Sequence, residues 1–531
     1  MKALRVELLK PPGWFVDCSA LVAVTAFALA IRFHGITVPA IWLDEAFSIL
    51  LARYEPWDIW SVTARDVHPP LYYLVLHYWI IMFGDGVLAV RSLSAIADVG
   101  TVLLSLRLMS LVASRRAIWI AALLLTLLPI SVRYSQEVRM YSLLGFWLMG
   151  ATVALVYWIQ EREKVRFPVI YVLLMTAAFY THYLAALCVL VHWFYWWWGR
   201  SGVSQTVLPV RAWLLVNVAI VILFVPWFPN FIEHWTVKPG WIPPVTGQAV
   251  LSLVWQLITM NAWGAQSIFF RMVPLGIVTA CGLGVIWKDS NQHRYSGLLV
   301  GYFFIPAIVL GLISLTVPLF VPRYLVFAAV GLPLVLAVAL DKWVRHPGVL
   351  ALAVVAIVAI EMQGVQSVYR QTDDLNGTDL RRDFRLDVLA RELARLVRPD
   401  DEIVFESLFW YLPFDYYNQT AIQPRLQVRS PLDTFLAVAD RGGYAVIPEN
   451  LKWIYFDDPE ILKCPAHRIW WVTVKSSSNA KGLSAEDWEQ TFTFVKGEMA
   501  VSLFTLKVNA APAHTCPPVK SQSNNPCAIC G

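Results

Sequence analysis

The chain has 531 residues, of which 58% belong to the apolar set AVILMFWYC and only 15% are charged, with a mean hydropathy of +0.57. A soluble chain carries roughly 25% charge and 45–50% apolar residues, and one core stops growing at about 250–300 residues. The excess is grouped in blocks long enough to cross ~30 Å of hydrocarbon, which excludes a soluble enzyme, a disordered chain and a single-anchor protein. The net charge of +5, from 42 Lys and Arg against 37 Asp and Glu, gives no reason to expect a nucleic-acid partner.

Eleven spans are expected, at about 15–33, 86–109, 117–131, 143–159, 168–181, 183–198, 212–229, 270–287, 296–316, 324–340 and 348–363. With the N-terminus inside, Lys2, Arg5, Lys10, Arg115, Arg116, Arg162, Lys164, Arg166, Arg200, Arg211, Lys288, Arg294, Lys342 and Arg345 fall on one side. That side is cytoplasmic by the positive-inside rule, and the Trp-rich run from Trp193 to Trp198 suits its aromatic belt. Cys18, Cys188 and Cys281 lie within spans and read as small core residues. The stretch 249–268, which contains Asn261 and Gly264, is expected at the outer interface.

The first outer loop, 34–85, is long for a connector, and such loops are usually functional or disordered. Its run Leu43-Asp44-Glu45 sets two carboxylates among apolar and aromatic residues. Asp66-Val67-His68-Pro69-Pro70 then opens the segment 71–83, too short to span and so expected flat at the interface. Carboxylates beside an interfacial helix suit a general base or a metal ligand. The plain alternative is that Asp44 is a helix N-cap.

In the second outer loop, Arg133, Tyr134, Gln136, Glu137, Arg139 and Tyr141 lie within ten residues. Arginine suits phosphate because its planar fork stays charged and donates bidentately; an Arg133–Glu137 helix pair is the plain alternative. His182 lies in a tight turn between spans, and Arg323 begins a late span after Pro322. With the assigned sidedness, Asp44, Glu45, Asp66, His68, Arg139, His182 and Arg323 all map to one membrane face, where ionisable groups tend to mark function.

An odd number of spans puts residues after about 364 on the outer side, where charge returns. Helical spacing over Leu386–Leu396 and strand-like runs at Glu402–Phe405, Ile469–Val474 and Ala500–Lys507 predict a soluble α/β domain over 365–510, following a membrane module over 1–364. The tail 511–531 has a disordered composition. It carries His514, Cys516, Cys527 and Cys530, in an oxidising space more suggestive of a disulfide or an accidental cluster than of zinc.

Leu43-Asp44-Glu45, Asp66-Val67-His68-Pro69-Pro70-Leu71-Tyr72-Tyr73 and Tyr134-Ser135-Gln136-Glu137-Val138-Arg139-Met140-Tyr141, in this order, resemble the integral-membrane GT-C glycosyltransferases. They look most like family 39, which includes protein O-mannosyltransferases and the lipid A aminoarabinose transferase. Pro322-Arg323-Tyr324 and Asp383-Phe384-Arg385 extend the likeness over most of 1–400. The resemblance implies a GT-C fold and inverting transfer of a sugar from a polyprenyl-phosphate carrier to an acceptor hydroxyl, on the outer face of a bacterial inner membrane. It implies catalytic roles for Asp44, Glu45 and Asp66, and donor-phosphate contacts from Arg139, Arg323, His68 and Tyr141. Glu137, Tyr134 and His182 would contact substrate. A divalent cation, Mg or Mn, would fall to Asp44 and Asp66 but is not required.

The sequence departs from the aminoarabinose transferase, which has Glu-Lys before its Pro-Pro; here Val67 and His68 stand there, shifting weight to Asp66. The sugar is left open among mannose, aminoarabinose, galacturonic acid, glucose and another pentose, and the acceptor among an envelope lipid, a polysaccharide and a protein. The alternative function is a transporter or flippase of a lipid-linked glycan, which should bury polar groups near the midplane and often carries inverted repeats.

Overall fold

The computed structural model describes residues 14–200, 208–236, 242–261, 267–289, 293–463, 468–477 and 483–508; the tail with its His514 and three cysteines lies outside them. Every one of the eleven expected spans is helical. Six helices, Val87–Val112, Tyr141–Gln160, Val210–His234, Ile268–Trp287, Tyr295–Ile313 and Pro347–Arg370, are long and apolar enough to cross a membrane. Two bent pairs raise the number to eight. The remaining three are apolar over shorter stretches, Cys18–Phe33, Arg166–Thr181 and Ala185–Arg200.

Two of the spans are bent. Arg115–Leu127 and Pro129–Ser135 meet at 52°. Pro129 has no N–H to continue the first helix, and the freed carbonyls of Leu125 and Thr126 accept from Arg32 at 3.2 and 2.7 Å. Arg32 is held in turn by Asp98 at 2.7 Å, and Asp98 accepts the Ser131 hydroxyl at 2.6 Å. Gly364 of the last span sits against the same bend: a Cβ there would lie 2.6 Å from Pro129 Cγ and 2.4 Å from the Ile258 carbonyl. The second pair, Pro322–Ala329 and Gly331–Trp343, meets at 41° and carries Arg323 in its first turn. The segment expected at the outer interface forms two short helices, Gly247–Leu251 and Leu253–Thr259, divided at Ser252, with Leu253, Val254 and Leu257 buried against the rest of the protein. Of the cysteines read as core, only Cys188 is; Cys281 is half-buried and Cys18 exposed, because their helices turn those faces outward.

The first outer loop folds as three short helices, Leu43–Ala52, Pro56–Thr63 and Leu71–Phe83. The last begins after Pro70, as expected. Tyr72, Tyr73, Leu76 and His77 are buried, while Tyr78, Ile81, Met82 and Phe83 are exposed, an apolar face suited to an interface.

The last span runs to Arg370, beyond the expected boundary, and Thr378–Asp383 packs back into the helical module. The outer domain then forms a six-stranded sheet from β1 (Glu402–Phe405), β2 (Arg425–Gln427), β3 (Tyr455–Phe456), β4 (Arg468–Val474), β5 (Trp488–Lys496) and β6 (Met499–Leu506). Its order is β3-β2-β1-β4-β6-β5, with the first four parallel and the hairpin β5–β6 antiparallel. Glu402 pairs with Ile469 and Phe405 with Val472, so the two most apolar runs are central.

This domain clamps the first loop. Helix Leu408–Tyr417 packs on Leu43–Ala52, and the Tyr417 hydroxyl accepts the Ile41 N–H at 2.9 Å. Tyr54 donates to the Val446 carbonyl and Tyr416 to that of Asp85, each at 2.9 Å.

Candidate active site

Asp44 is the second residue of helix Leu43–Ala52. Trp42, not Asp44, holds the N-cap position, and no side chain caps this end, so the plain capping account of Asp44 fails. The carboxylate instead accepts from Arg323 Nη1 at 3.2 Å and remains a quarter exposed. Arg139 approaches from the second loop, with Nη1 3.4 Å from the Asp44 carbonyl and 3.2 Å from Ser48 Oγ. Residues from three separated segments thus meet at Asp44, Arg323 on its carboxylate and Arg139 on its backbone carbonyl.

Asp66 and His68 form the next wall, Oδ2 to Nδ1 at 3.3 Å. Burial acts to raise the Asp66 carboxyl, but the His68 hydrogen bond, the Val67 N–H and Arg139 hold it below the usual carboxylate range. Burial, helped by Arg139, pushes the His68 imidazole below its ordinary value against the pull of Asp66 and Asp44. Both directions describe a neutral His68 whose Nδ1–H donates to an ionised Asp66. His182 stands edge-on to His68 at 5.4 Å and beside Tyr141 at 6.1 Å between ring centres. Its Nδ1 accepts the Leu184 N–H at 3.1 Å, which puts its proton on Nε2. Burial, with His68, Arg139 and Arg323 adding, pushes it well below its ordinary value.

Among the described residues, Arg139 Nε, Tyr73 Oη, Tyr141 Oη and His182 Nε2 are buried polar atoms with no hydrogen-bond partner. Buried donors without partners are costly. All four are donors on side chains gathered around Asp44 and Asp66, so an anion brought among them would satisfy them. Tyr134 stacks edge-on with Tyr141 at 5.2 Å and lies under Arg133, which makes it a support for Tyr141.

Glu45 and Glu137 do not join Asp44 and Asp66. Glu45 is fully buried, bound by Arg91 at 2.8 and 2.7 Å and by the Val138 N–H at 3.0 Å. Burial acts to raise its carboxyl, and Arg91 and Arg381 hold it below the usual range. Catalytic contact by Glu45 is therefore corrected to a structural one, since both oxygens are enclosed. Glu137 makes the expected pair with Arg133, at 2.5 Å, and lies 3.6 Å from Arg381. It belongs to the same buried cluster rather than to a substrate surface.

Arg91, Arg381, Ser48 and Tyr73 are absent from the sequence-based assignment. Arg91, an arginine inside an apolar span, carried a usable signal; Ser48 carried none. Among the described residues no group of three or more His, Cys, Asp and Glu side chains is close enough to hold a metal ion. Asp44 is turned to Arg323 and Asp66 to His68.

No protein-family model and no curated relative matches the sequence. Solved structures do. ArnT from Cupriavidus metallidurans in the apo state is similar with a TM-score of 0.63 at 14% identity, over 92% of this chain and 98% of that one. Its complex with undecaprenyl phosphate gives 0.59 at 15%, over 93% and 99%. The apo oligosaccharyltransferase of Archaeoglobus fulgidus gives 0.52 at 12%, over 88% of this chain and 71% of that one. The likeness is one of fold, and it is the GT-C architecture that the motifs imply.

Proposed function

We propose that this protein is an inverting glycosyltransferase that moves a sugar from a polyprenyl-phosphate donor to an acceptor hydroxyl at the outer face of a bacterial inner membrane. The observation that carries the reading is the meeting of Asp44, Arg139 and Arg323 beside four buried, unpartnered polar atoms. The fold shared with ArnT, one of whose structures holds undecaprenyl phosphate, supports a lipid-phosphate ligand.

In this reading the donor brings its own membrane anchor, so no nucleotide pocket is needed. Arg139, Arg323, Tyr73 and Tyr141 receive the phosphate, whose charge grows as the bond to the sugar breaks. Preorganised donors in a partly dry site stabilise such charge most strongly. The acceptor oxygen attacks the anomeric carbon from the side opposite the phosphate, and the bonding pair leaves on the phosphate oxygen. The hydroxyl proton passes to the Asp44 carboxylate, the more exposed of the two cavity acids. Asp66 orients His68 at the rim, where a neutral imidazole hydrogen-bonds a sugar hydroxyl or phosphate oxygen. Glu45, enclosed by Arg91, fixes the helix that carries Asp44.

Asp44→Asn and Arg139→Ala, assayed in membranes with an intact donor pool, should both lose transfer. Full activity in both at equal expression would overturn the assignment. Mass spectrometry of envelope glycans from a deletion strain identifies sugar and acceptor together.

A further inference from the structure

Beside Asp44 and Arg139 lies a cluster that the proposed reaction does not use. Arg91, Arg133 and Arg381 face Glu45, Glu137 and Asp373, and each of the six is at most 4% exposed. Taking charges out of water costs several kcal/mol per ion, and an apolar replacement is often as stable. The cluster's place in the chain suggests what it provides instead. Glu45 is the neighbour of Asp44, and Glu137 stands two residues before Arg139. Val138, between Glu137 and Arg139, donates its N–H to Glu45 at 3.0 Å. The backbones bearing the proposed base and a proposed phosphate ligand are thereby tied to one ionic cluster.

Arg381 comes from neither loop but from the chain after the last span. Its Nη1 lies 3.6 Å from Glu137 Oε2 and its Nε 4.0 Å from Glu45 Oε2. Its Nη2 donates to the Gln136 carbonyl at 3.2 Å, and its own carbonyl accepts the Ala40 N–H at 3.2 Å. One guanidinium therefore spans both site loops. Without it, two arginines would face three buried carboxylates, and the excess charge would be relieved by the loops moving apart.

We infer that Arg381 is a positioning residue: by bridging Glu45 and Glu137 it sets the placement of Asp44 and Arg139, so the root of the outer domain is part of the reaction apparatus. The inference rests on the function proposed above. A lysine, a point charge on a flexible stem, can approach one carboxylate but cannot at once lie between Glu45 and Glu137 and donate to the Gln136 carbonyl.

The test uses the full chain in detergent, with undecaprenyl phosphate as probe and hydrogen–deuterium exchange over residues 40–48 and 136–142 as a ligand-free readout. Arg381→Met should raise exchange in both loops above the rest of the molecule and weaken undecaprenyl phosphate by about tenfold, with Arg381→Lys in between. Added to Arg139→Ala, Arg381→Met should cost less than about twofold more, because it acts through Arg139. If Arg381→Met does not fold, Arg381→Lys carries the same comparisons. Unchanged exchange in both loops, or affinity losses that multiply with those of Arg139→Ala, overturns the inference. A wild-type chain that ignores undecaprenyl phosphate while Arg381→Met still loosens both loops overturns the functional reading and leaves the bridging geometry standing.

Discussion

Glu45→Gln removes one charge from the buried cluster while leaving the atom that accepts the Val138 N–H. Arg91 keeps its carbonyl partners, Ile36 at 2.7 Å, Pro39 at 2.9 Å and Ala40 at 3.3 Å, but loses its ion pair. Both side chains are fully enclosed, so solvent does not screen the loss. Breaking a buried pair from one side costs about 3–5 kcal/mol, and Glu45→Gln belongs toward the upper figure because its amide NH2 replaces an oxygen that accepts from Arg91 and sets donor against donor. Arg91→Met should cost as much or more, since Glu45 then relies on the distant Arg381. The double variant Glu45→Met/Arg91→Met removes both charges and should lose less than the sum of Glu45→Gln and Arg91→Met, although it strands the Val138 N–H at about 1–3 kcal/mol. Unfolding titrated with SDS in mixed micelles measures all three. The sign with pH follows from the lowered carboxyl: the pair's contribution is complete above the ordinary value of 4.5 and is lost as pH falls through the lower folded value. A Glu45→Gln loss under about 1 kcal/mol, or a double variant that costs the full sum, would refute the reasoning.

Removing either phosphate arginine should weaken undecaprenyl phosphate by roughly 10–100-fold, the worth of one charge-assisted hydrogen bond at about 1.5–3 kcal/mol, read by equilibrium binding with Arg139→Ala and Arg323→Ala. His182, buried and held neutral, should make the fold sensitive to acid. Its stabilising contribution is complete above about 6.5 and is lost as pH falls toward its much lower folded value, and His182→Asn should flatten that part of the unfolding profile. Gly364→Ala drives a methyl against Pro129 and the Ile258 carbonyl, and should cost about 1–3 kcal/mol in the same titration while opening the bend.

The spans were legible because apolar blocks of membrane length admit one reading, and the same argument found Leu71–Phe83 as a helix too short to cross. The bends at Pro129 and at Val330 were not; at Pro129 what makes the break tenable is the side chain that satisfies the freed carbonyls. That side chain, Arg32, lies 94 residues from Thr126. Within the outer domain β1, β4 and β6 stood out as apolar runs. β2 and β3 are three and two residues long, and β5 is a largely exposed edge strand whose alternation is diluted by Glu489 and Gln490. At the site, residue type identified Asp44, Arg139 and Arg323 as a set. It could not tell Asp44 from Glu45, adjacent carboxylates of one motif, because helix rotation sends one to Arg323 and the other to Arg91.

The central claim is that Arg139 and Arg323 close around a lipid-linked phosphate with Asp44 across from it. A structure of the full chain with undecaprenyl phosphate bound tests this directly. The account predicts phosphate oxygens within hydrogen-bonding distance of both guanidiniums and of Tyr73 or Tyr141, with the lipid tail leaving between the helices. A phosphate seated elsewhere, with Asp44 and Arg323 still paired as they are here, would contradict it.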